Sequence, residues 1–379
     1  MEANAFRDDN LVSLLRQYGL DDLVPVSSSH IWMTNSASDI RGKLTPAQFM
    51  IRSVVEMTNS TSREVNLNFY LASNVRYIKI HKEMFGSLEG TLMQRPTQEV
   101  MHRIRGTFLN FLERENLLGM VSTFQYIQTL GGYGQLDEVG ALYGLLLFNP
   151  KLVLTLALSA IGEDKGPFSW YSLKDGFENV WKTIDQKEEL NIHFHTDIVS
   201  IIRKKNNIYL DTWQNFKAKR EVCNFLIWTP EASQLLRILE KPTQKEEHLL
   251  GSLKPEIFYA HLINMEGGVR HAPSTAYMAN VLGKEEYAVA WTADTAGLLT
   301  PGIKTPEVME KYNNNKGNRT VCALHTPSKH HTSESFLKKK MRDHFMKGFN
   351  VTSLEFLNTI VWPFLPKLVI VLVQACADP

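Results

Sequence analysis

Tyr171–Leu239 reads YSLKDGFENVWKTIDQKEELNIHFHTDIVSIIRKKNNIYLDTWQNFKAKREVCNFLIWTPEASQLLRIL, and the order of elements in it decides the fold. A turn signal at Lys174-Asp175-Gly176 opens it. Phe177, Val180, Trp181 and Ile184 then recur three and four apart, which predicts a helix packed through those side chains. Leu190 to Phe194 follows as a strand. The β-branched run Ile198 to Ile202, joined across Lys204-Lys205-Asn206-Asn207 to Ile208 through Trp213, predicts a hairpin with a polar tip. Val222 to Trp228 is a short apolar strand that stops at Thr229-Pro230. Glu231 to Leu239 resumes helical spacing, and a proline is tolerated near a first turn because that N–H has no partner within the helix.

This order resembles the second half of the dinucleotide-binding domain in the flavin-dependent amine oxidase and phytoene desaturase superfamily. The family's strand I-x-L-N-T-x-V-x-x-I is met by Ile192, Phe194, His195, Thr196, Ile198 and Ile201. Its next mark, D-x-V-I-x-A-x-P, falls on Asn224-Phe225-Leu226-Ile227-Trp228-Thr229-Pro230. The resemblance implies FAD as cofactor, with the backbone at Ile198 flanking the adenine and Trp228, Thr229 and Pro230 against the pyrophosphate and ribose. It implies an α/β chain, α+β overall: a partial FAD/NAD(P)-binding Rossmann-like domain with a helical and mixed-sheet substrate domain. An ordinary αβ segment of another α/β protein would show the same order, because no residue in it is chemically committed.

Composition bounds the reading. A chain of 379 residues exceeds the size at which single cores stop growing, so two domains or a large insertion are expected. The hydrophobic share of 44% and charged share of 21% are those of a soluble globular protein. A net charge of +1 argues against a nucleic-acid partner recruited by bulk charge. Cys223, Cys322 and Cys376 have neither metal-ligand nor disulfide-framework spacing, so the sequence implies no metal site and a reducing, cytoplasmic setting. Residues 1–20 lack the apolar centre of a signal peptide. The apolar tail Leu368 to Val373 is far shorter than the roughly 20 residues a membrane helix needs, so no membrane span is expected.

From the start, Asn10 to Tyr18 reads as an amphipathic helix closed by Gly19. Ser27 to about Pro167 reads as predominantly helical, with a capping box at Thr45-Pro46-Ala47-Gln48. One helix is expected from Thr97 to near Gly119, through Val100, Ile104, Phe108, Phe111 and Leu112. Gly131-Gly132-Tyr133-Gly134 precedes the helical run Val139 to Phe148. Without a preceding strand or a phosphate-loop lysine, it reads as a helix–helix turn.

Beyond Leu239 three strands are expected, Ile257 to Ile263, Tyr287 to Trp291 and Arg319 to Leu324. The resemblance makes them the substrate-domain sheet and offers Tyr259, His261, Tyr287 and Trp291 as cavity-lining residues; core packing is the plainer reading of alternate aromatics on strands. Ser333 to Lys347 reads as an amphipathic helix with Phe336, Leu337, Met341 and Phe345 on one side and a solvated lysine face.

Domain limits follow from these elements. Residues 1–30 read as a remnant of the FAD-binding domain and 31–169 as a helical substrate-domain insertion. Residues 170–240 are the second part of the FAD-binding domain and 241–350 the substrate-domain sheet and helix. Residues 351–379 read as a truncated or divergent C-terminus. No G-x-G-x-x-G string occurs in the chain, and no glycine follows Gly348. The family's N-terminal glycine unit and its C-terminal FAD segment are therefore expected to be missing and FAD binding weak or lost, since those backbone N–H groups receive the pyrophosphate. The family implies hydride transfer from a substrate carbon to flavin, on a small amine or lipid-like molecule. No catalytic residue is identified. The alternative is a non-catalytic, degenerate relative that serves as a binding scaffold.

Overall fold

The computed structural model describes residues 9–25, 30–36, 39–86, 96–130, 135–161, 171–173, 177–230, 232–252, 256–267, 275–278, 289–293, 318–325, 333–348, 351–364 and 371–374. In chain order it runs α1 (Asp9–Gln17), β1 (Leu23–Pro25), β2 (His30–Ser36), β3 (Asp39–Leu44), α2 (Pro46–Met50), α3 (Arg52–Thr58), α4 (Arg63–Phe85), α5 (Gln98–Arg103) and α6 (Phe108–Arg114). Next come α7 (Val121–Leu130), α8 (Ala141–Leu147), α9 (Pro150–Ile161), β4 (Tyr171–Leu173) and α10 (Phe177–Glu188). Then follow β5 (Thr196–Lys204), β6 (Asn207–Gln214), β7 (Lys217–Cys223), β8 (Phe225–Trp228), α11 (Ala232–Ile238) and α12 (Gln244–Gly251). The rest is β9 (Glu256–Gly267), β10 (Thr275–Met278), β11 (Val289–Ala293), β12 (Asn318–His325), α13 (Glu334–Gly348), β13 (Val351–Phe364) and β14 (Val371–Gln374). The chain is a mixed α/β protein of two compact units, Met1–Thr183 with Phe258–Val361, and Ile184–Ile257 with Trp362–Pro379.

Unit one joins a helical layer to a sheet ordered β13-β9-β12-β11-β10-β2-β3. The sheet is mixed: β2 and β10 are parallel, while β10–β11, β11–β12, β12–β9 and β2–β3 are antiparallel. Thr45 starts the helical layer as expected. Its hydroxyl accepts from Gln48 N at 3.2 Å, and Gln48 Oε1 accepts from Thr45 N at 2.9 Å. The centre of the layer is aromatic, with the rings of Phe124 and Phe148 4.4 Å apart and Phe108 5.2 Å from Phe124. Packing is close enough that a Cβ on Gly144 would come within 2.3 Å of the Phe108 ring. Ser53 and Ser122 satisfy each other inside it. Ser53 Oγ donates to Gly119 O and Ser122 Oγ to Met50 O, both at 2.8 Å, and each serine's backbone N–H donates to the other's hydroxyl.

Unit two is an antiparallel sheet β5-β6-β7 with the pair β8–β14 and two helices. Ile201, Ile208, Trp228, Leu235, Leu239 and Leu250 form its core. Glu240 N donates to Ile201 O at 2.9 Å and ties the end of α11 to β5. Arg203 spans both oxygens of Glu246, at 2.6 and 2.9 Å, and Glu246 also accepts from Thr243 N at 2.7 Å to complete the cap of α12.

Several sequence expectations are corrected. His30 to Leu44 is not helical but forms β2 and β3, which suits its Ile31-Trp32 and Ile40. The helix expected from Thr97 to Gly119 breaks between α5 and α6, where Gly106 takes a φ of 91° and Thr107 caps a new start. Leu190 to Phe194 forms no strand and is exposed. Val222 to Trp228 divides at Asn224 into the end of β7 and the whole of β8. Trp181 lies 58% exposed, off the inner face of α10. Phe336 is exposed, while Leu337 and Met341 of α13 are buried. The glycine loop at 131–134 lies outside the described residues.

Candidate functional site

The strongest convergence of chemistry is on one face of the substrate sheet, and it is built by strand alternation. Along β9 the alternate residues His261, Ile263 and Met265 are buried, with Tyr259 half-buried on the same side. Antiparallel pairing extends that face sideways. His261 pairs with Ala323 of β12, and Ala323 with Trp291 of β11, so His261 and Trp291 stand in one row, separated by an alanine. Tyr259 pairs with His325 in the next row of the same face. Among the four cavity residues read from the sequence, Tyr259 and His261 share a face of β9, and Trp291 falls in the register row of His261; Tyr287 lies outside the described residues.

On the other side of β9, β13 completes the surroundings of His261. Its Nδ1 lies 3.0 Å from Thr359 Oγ1, its ring stands edge-on to Phe356 at 5.4 Å, and Tyr259 stacks nearly parallel at 6.1 Å. From α13, Lys338 Nζ lies 5.2 Å and the Arg342 guanidinium 5.9 Å from the centre of the Phe356 ring. Lys338 is itself paired with Glu334 at 2.6 Å, one turn back. Burial pushes the His261 pKa down to about 4, the Lys338 charge pushes the same way, and Glu334 opposes both. Burial and Glu334 raise that of Tyr259. The face therefore presents a neutral imidazole and a neutral phenol at ordinary pH. Such groups can orient a ligand by hydrogen bonding without offering it charge.

Thr359, Phe356 and Lys338 were missed in the sequence. Residues 351–379 read as divergent, and Lys338 read as part of a solvated face. An i,i+4 Glu334–Lys338 spacing was visible, but the ring that receives the lysine comes from another element.

The cofactor-side residues read from the sequence fall in unit two. Ile198 and Trp228 come together, though as packing partners: Trp228 is 6% exposed within the core, and Ile198 packs against that same cluster. Thr229 and Pro230 are exposed at the turn into α11. That turn carries no glycine, and α11 is a seven-residue helix. The Trp228 side chain packs inward, and Pro230 has no N–H to offer a pyrophosphate. Among the described residues, the fit to FAD is incomplete. No group of three His, Cys, Asp or Glu among them could hold a metal ion.

No known family and no curated protein matches this sequence. Solved structures match its fold. A CLA-producing fatty acid isomerase from P. acnes superposes with a TM-score of 0.61 at 12% identity, covering 96% of this chain and 73% of that one. A cofactor-binding redesign of putrescine oxidase gives 0.56 at 12% identity, over 94% and 71%. Cyclohexylamine oxidase from Brevibacterium oxydans gives 0.51 at 11% identity, over 93% and 70%. At these identities the likeness is one of fold.

Proposed function

We propose that the chain belongs to an FAD-dependent oxidoreductase of the amine oxidase type, acting on a small amine or lipid-like molecule at the His261 face of the sheet. In this reading residues 31–169 and 241–350 form the substrate domain. Residues 170–240 form a Rossmann-like portion on the adenine side of the flavin, and β13 completes the substrate sheet. The observation that carries the proposal is the continuous likeness of fold, over more than nine-tenths of the chain, to two amine oxidases and a fatty acid isomerase. Oxidised flavin would supply hydride acceptance; the protein's part is to orient the substrate in a water-poor cavity.

A second reading, a binding scaffold that has lost its cofactor, is favoured by the inward packing of Trp228 and by a sequence without a G-x-G-x-x-G string. The visible absorption spectrum of the purified chain, recorded after FAD is added and excess removed by gel filtration, separates the two. A retained flavin band supports the oxidoreductase, with the cradle supplied by residues outside the described ones. A folded, colourless protein sinks it and leaves the scaffold.

A further inference from the structure

The sheet β5-β6-β7 of unit two has two unlike faces. On the inner face Ile201 and Ile208 pack with Leu235 and Leu239 of α11 and Leu250 of α12. The outer face is open, with Trp213 43% and Val222 56% exposed. Strand register sets that face out in rows. Asp197, Trp213 and Ala218 make the first, and Ser200, Asp211 and Arg220 the second, a bulge at Val199 keeping Ser200 on the side of Asp197. Ile202, Tyr209 and Val222 make the third, and Lys204 pairs with Asn207 beyond them. A solvated face of an antiparallel sheet is ordinarily polar at these positions. This one carries an indole, a phenol, an arginine and two branched aliphatics, the mixture that gathers at the centre of protein contacts.

The charges on the face form a dipole. In its middle Arg220 donates to both oxygens of Asp211, at 2.6 and 2.8 Å, and Ser200 Oγ donates to the same carboxylate at 2.9 Å. That pair is neutral. At one end stands Lys204, its Nζ 5.1 Å from the centre of the Tyr209 ring, and at the other Asp197; neither has an ion-pair partner among the described residues. Seven residues of strand hold them about 23 Å apart.

This pattern selects the occupant. Anionic lipid surfaces and nucleic acids favour a face of one sign, and here the arginine already holds a carboxylate. A face positive at one end and negative at the other complements a copy of itself. A two-fold axis between two such faces, running across the strands, turns the second copy end for end and brings each Lys204 over the other copy's Asp197. The row of Asp211 and Arg220 then lies over the apolar row and meets no unpaired charge. Three strands about 4.8 Å apart and eight residues of about 3.3 Å each offer roughly 400 Å² per copy, the low end for a specific contact, so the association is weak.

We propose that the outer face of β5-β6-β7 joins two copies of the chain through this two-fold axis. The inference does not rest on the flavin reading. Its test is sedimentation velocity of the full chain from about 1 to about 500 µM, where a monomer–dimer equilibrium is expected. Trp213→Ser with Val222→Ser should weaken the dimer by about tenfold or more, with circular dichroism unchanged. Lys204→Glu and Asp197→Lys, each alone, should weaken it by about fivefold, because like charges then face each other at both ends. Mixing the Lys204→Glu chain with the Asp197→Lys chain should restore association, since both end contacts of the mixed dimer again unite opposite charges. Loss of folding in either variant would give no such rescue. Three outcomes overturn the proposal: a monomer over the whole range, a dimer undiminished by the serine pair, or a mixture that associates no better than each variant by itself.

Discussion

The helical core of unit one and the small core of unit two hold themselves together by different means. Between α2 and α9 a continuous apolar cluster runs from Phe49 to Ala160, and inside it Ser53 and Ser122 bond to each other. Unit two packs Ile201, Ile208, Trp228, Leu235, Leu239 and Leu250, and leaves Phe194, Phe216, Phe225 and Ile227 each more than half exposed. Its geometry is fixed by polar clamps at the margin, chiefly Arg203 on Glu246. A large core tolerates the loss of one surface ion pair; a small one depends on it. Perturbations of side-chain packing should therefore fall hardest on unit one, and perturbations of charge should register clearly in unit two.

The largest effect is expected at Phe124, fully buried with Tyr77, Phe108 and Phe148 around its ring. Phe124→Ala should cost about 4 kcal/mol, read from urea unfolding followed by helical circular dichroism. A cost below about 1 kcal/mol would mean that the aromatic centre collapses around the void, and that the cores are less different than they look.

Acid should sharpen the comparison, because the two units lose charge-linked stability in different windows. In unit one His261 is held neutral, its pKa lowered from 6.5 to about 4 by burial first and Lys338 second. The unfolded chain therefore takes up the proton first. Stability is fully present above about 6.5 and is lost as pH falls toward 4, by on the order of 2 kcal/mol. His81, whose pKa burial also lowers, acts in the same direction. In unit two the hydrogen bonds from Arg203 hold the Glu246 carboxyl down at about 2. Its contribution is present above the ordinary glutamate range near ~4.3 and is lost only as pH falls below it. Thermal melts of wild type and His261→Leu between pH 7 and 4 should converge as the pH drops. Parallel curves would show that His261 is not the group being titrated.

At neutral pH the clamp itself can be removed. Glu246→Gln keeps the size of the side chain but gives up the ion pair and weakens the cap of α12, for an expected loss of about 2 kcal/mol in unit two. Fluorescence of Trp228, with the remaining tryptophans replaced by phenylalanine, would report it. An unchanged midpoint would place the clamp among surface pairs of no consequence.

What the sequence made legible was local. The Thr45 capping box, the β5–β6 hairpin, β9, β12 and α13 were each written in residues a few positions apart. Long-range pairing was not: nothing near His261 announces Thr359, nearly a hundred positions away, and the row from His261 to Trp291 exists only through the register of β12. The breaks were hidden for a related reason. Apolar spacing runs from Val100 through Leu112 without interruption, so the separation of α5 from α6 depends on one glycine, Gly106, that periodicity does not weigh. Likewise Ile198 and Trp228 carried a recognisable pattern, but it could not show that the indole is spent on the core of unit two.

The strand legible only at its last two residues, β7, yields the smallest and most pointed test. Gln214 pairs with Lys217, so the chain reverses over Asn215 and Phe216 alone, with φ of 51° and 61°. Two positive φ values define the tight hairpin turn whose usual sequence is Asn-Gly; Asn-Phe conceals it. Phe216 gains nothing from packing in return, being 92% exposed. A phenylalanine held in the left-handed region bears a cost of about 1 kcal/mol that glycine would not. Glycine would give some of that back through the greater freedom of its unfolded chain. Phe216→Gly should therefore stabilise unit two by somewhat under about 1 kcal/mol, seen as a higher urea midpoint with an unchanged slope. If the variant is instead destabilised, the exposed ring must already be in contact with something that completes the unit's meagre core, and the contrast between the two cores would narrow at that point.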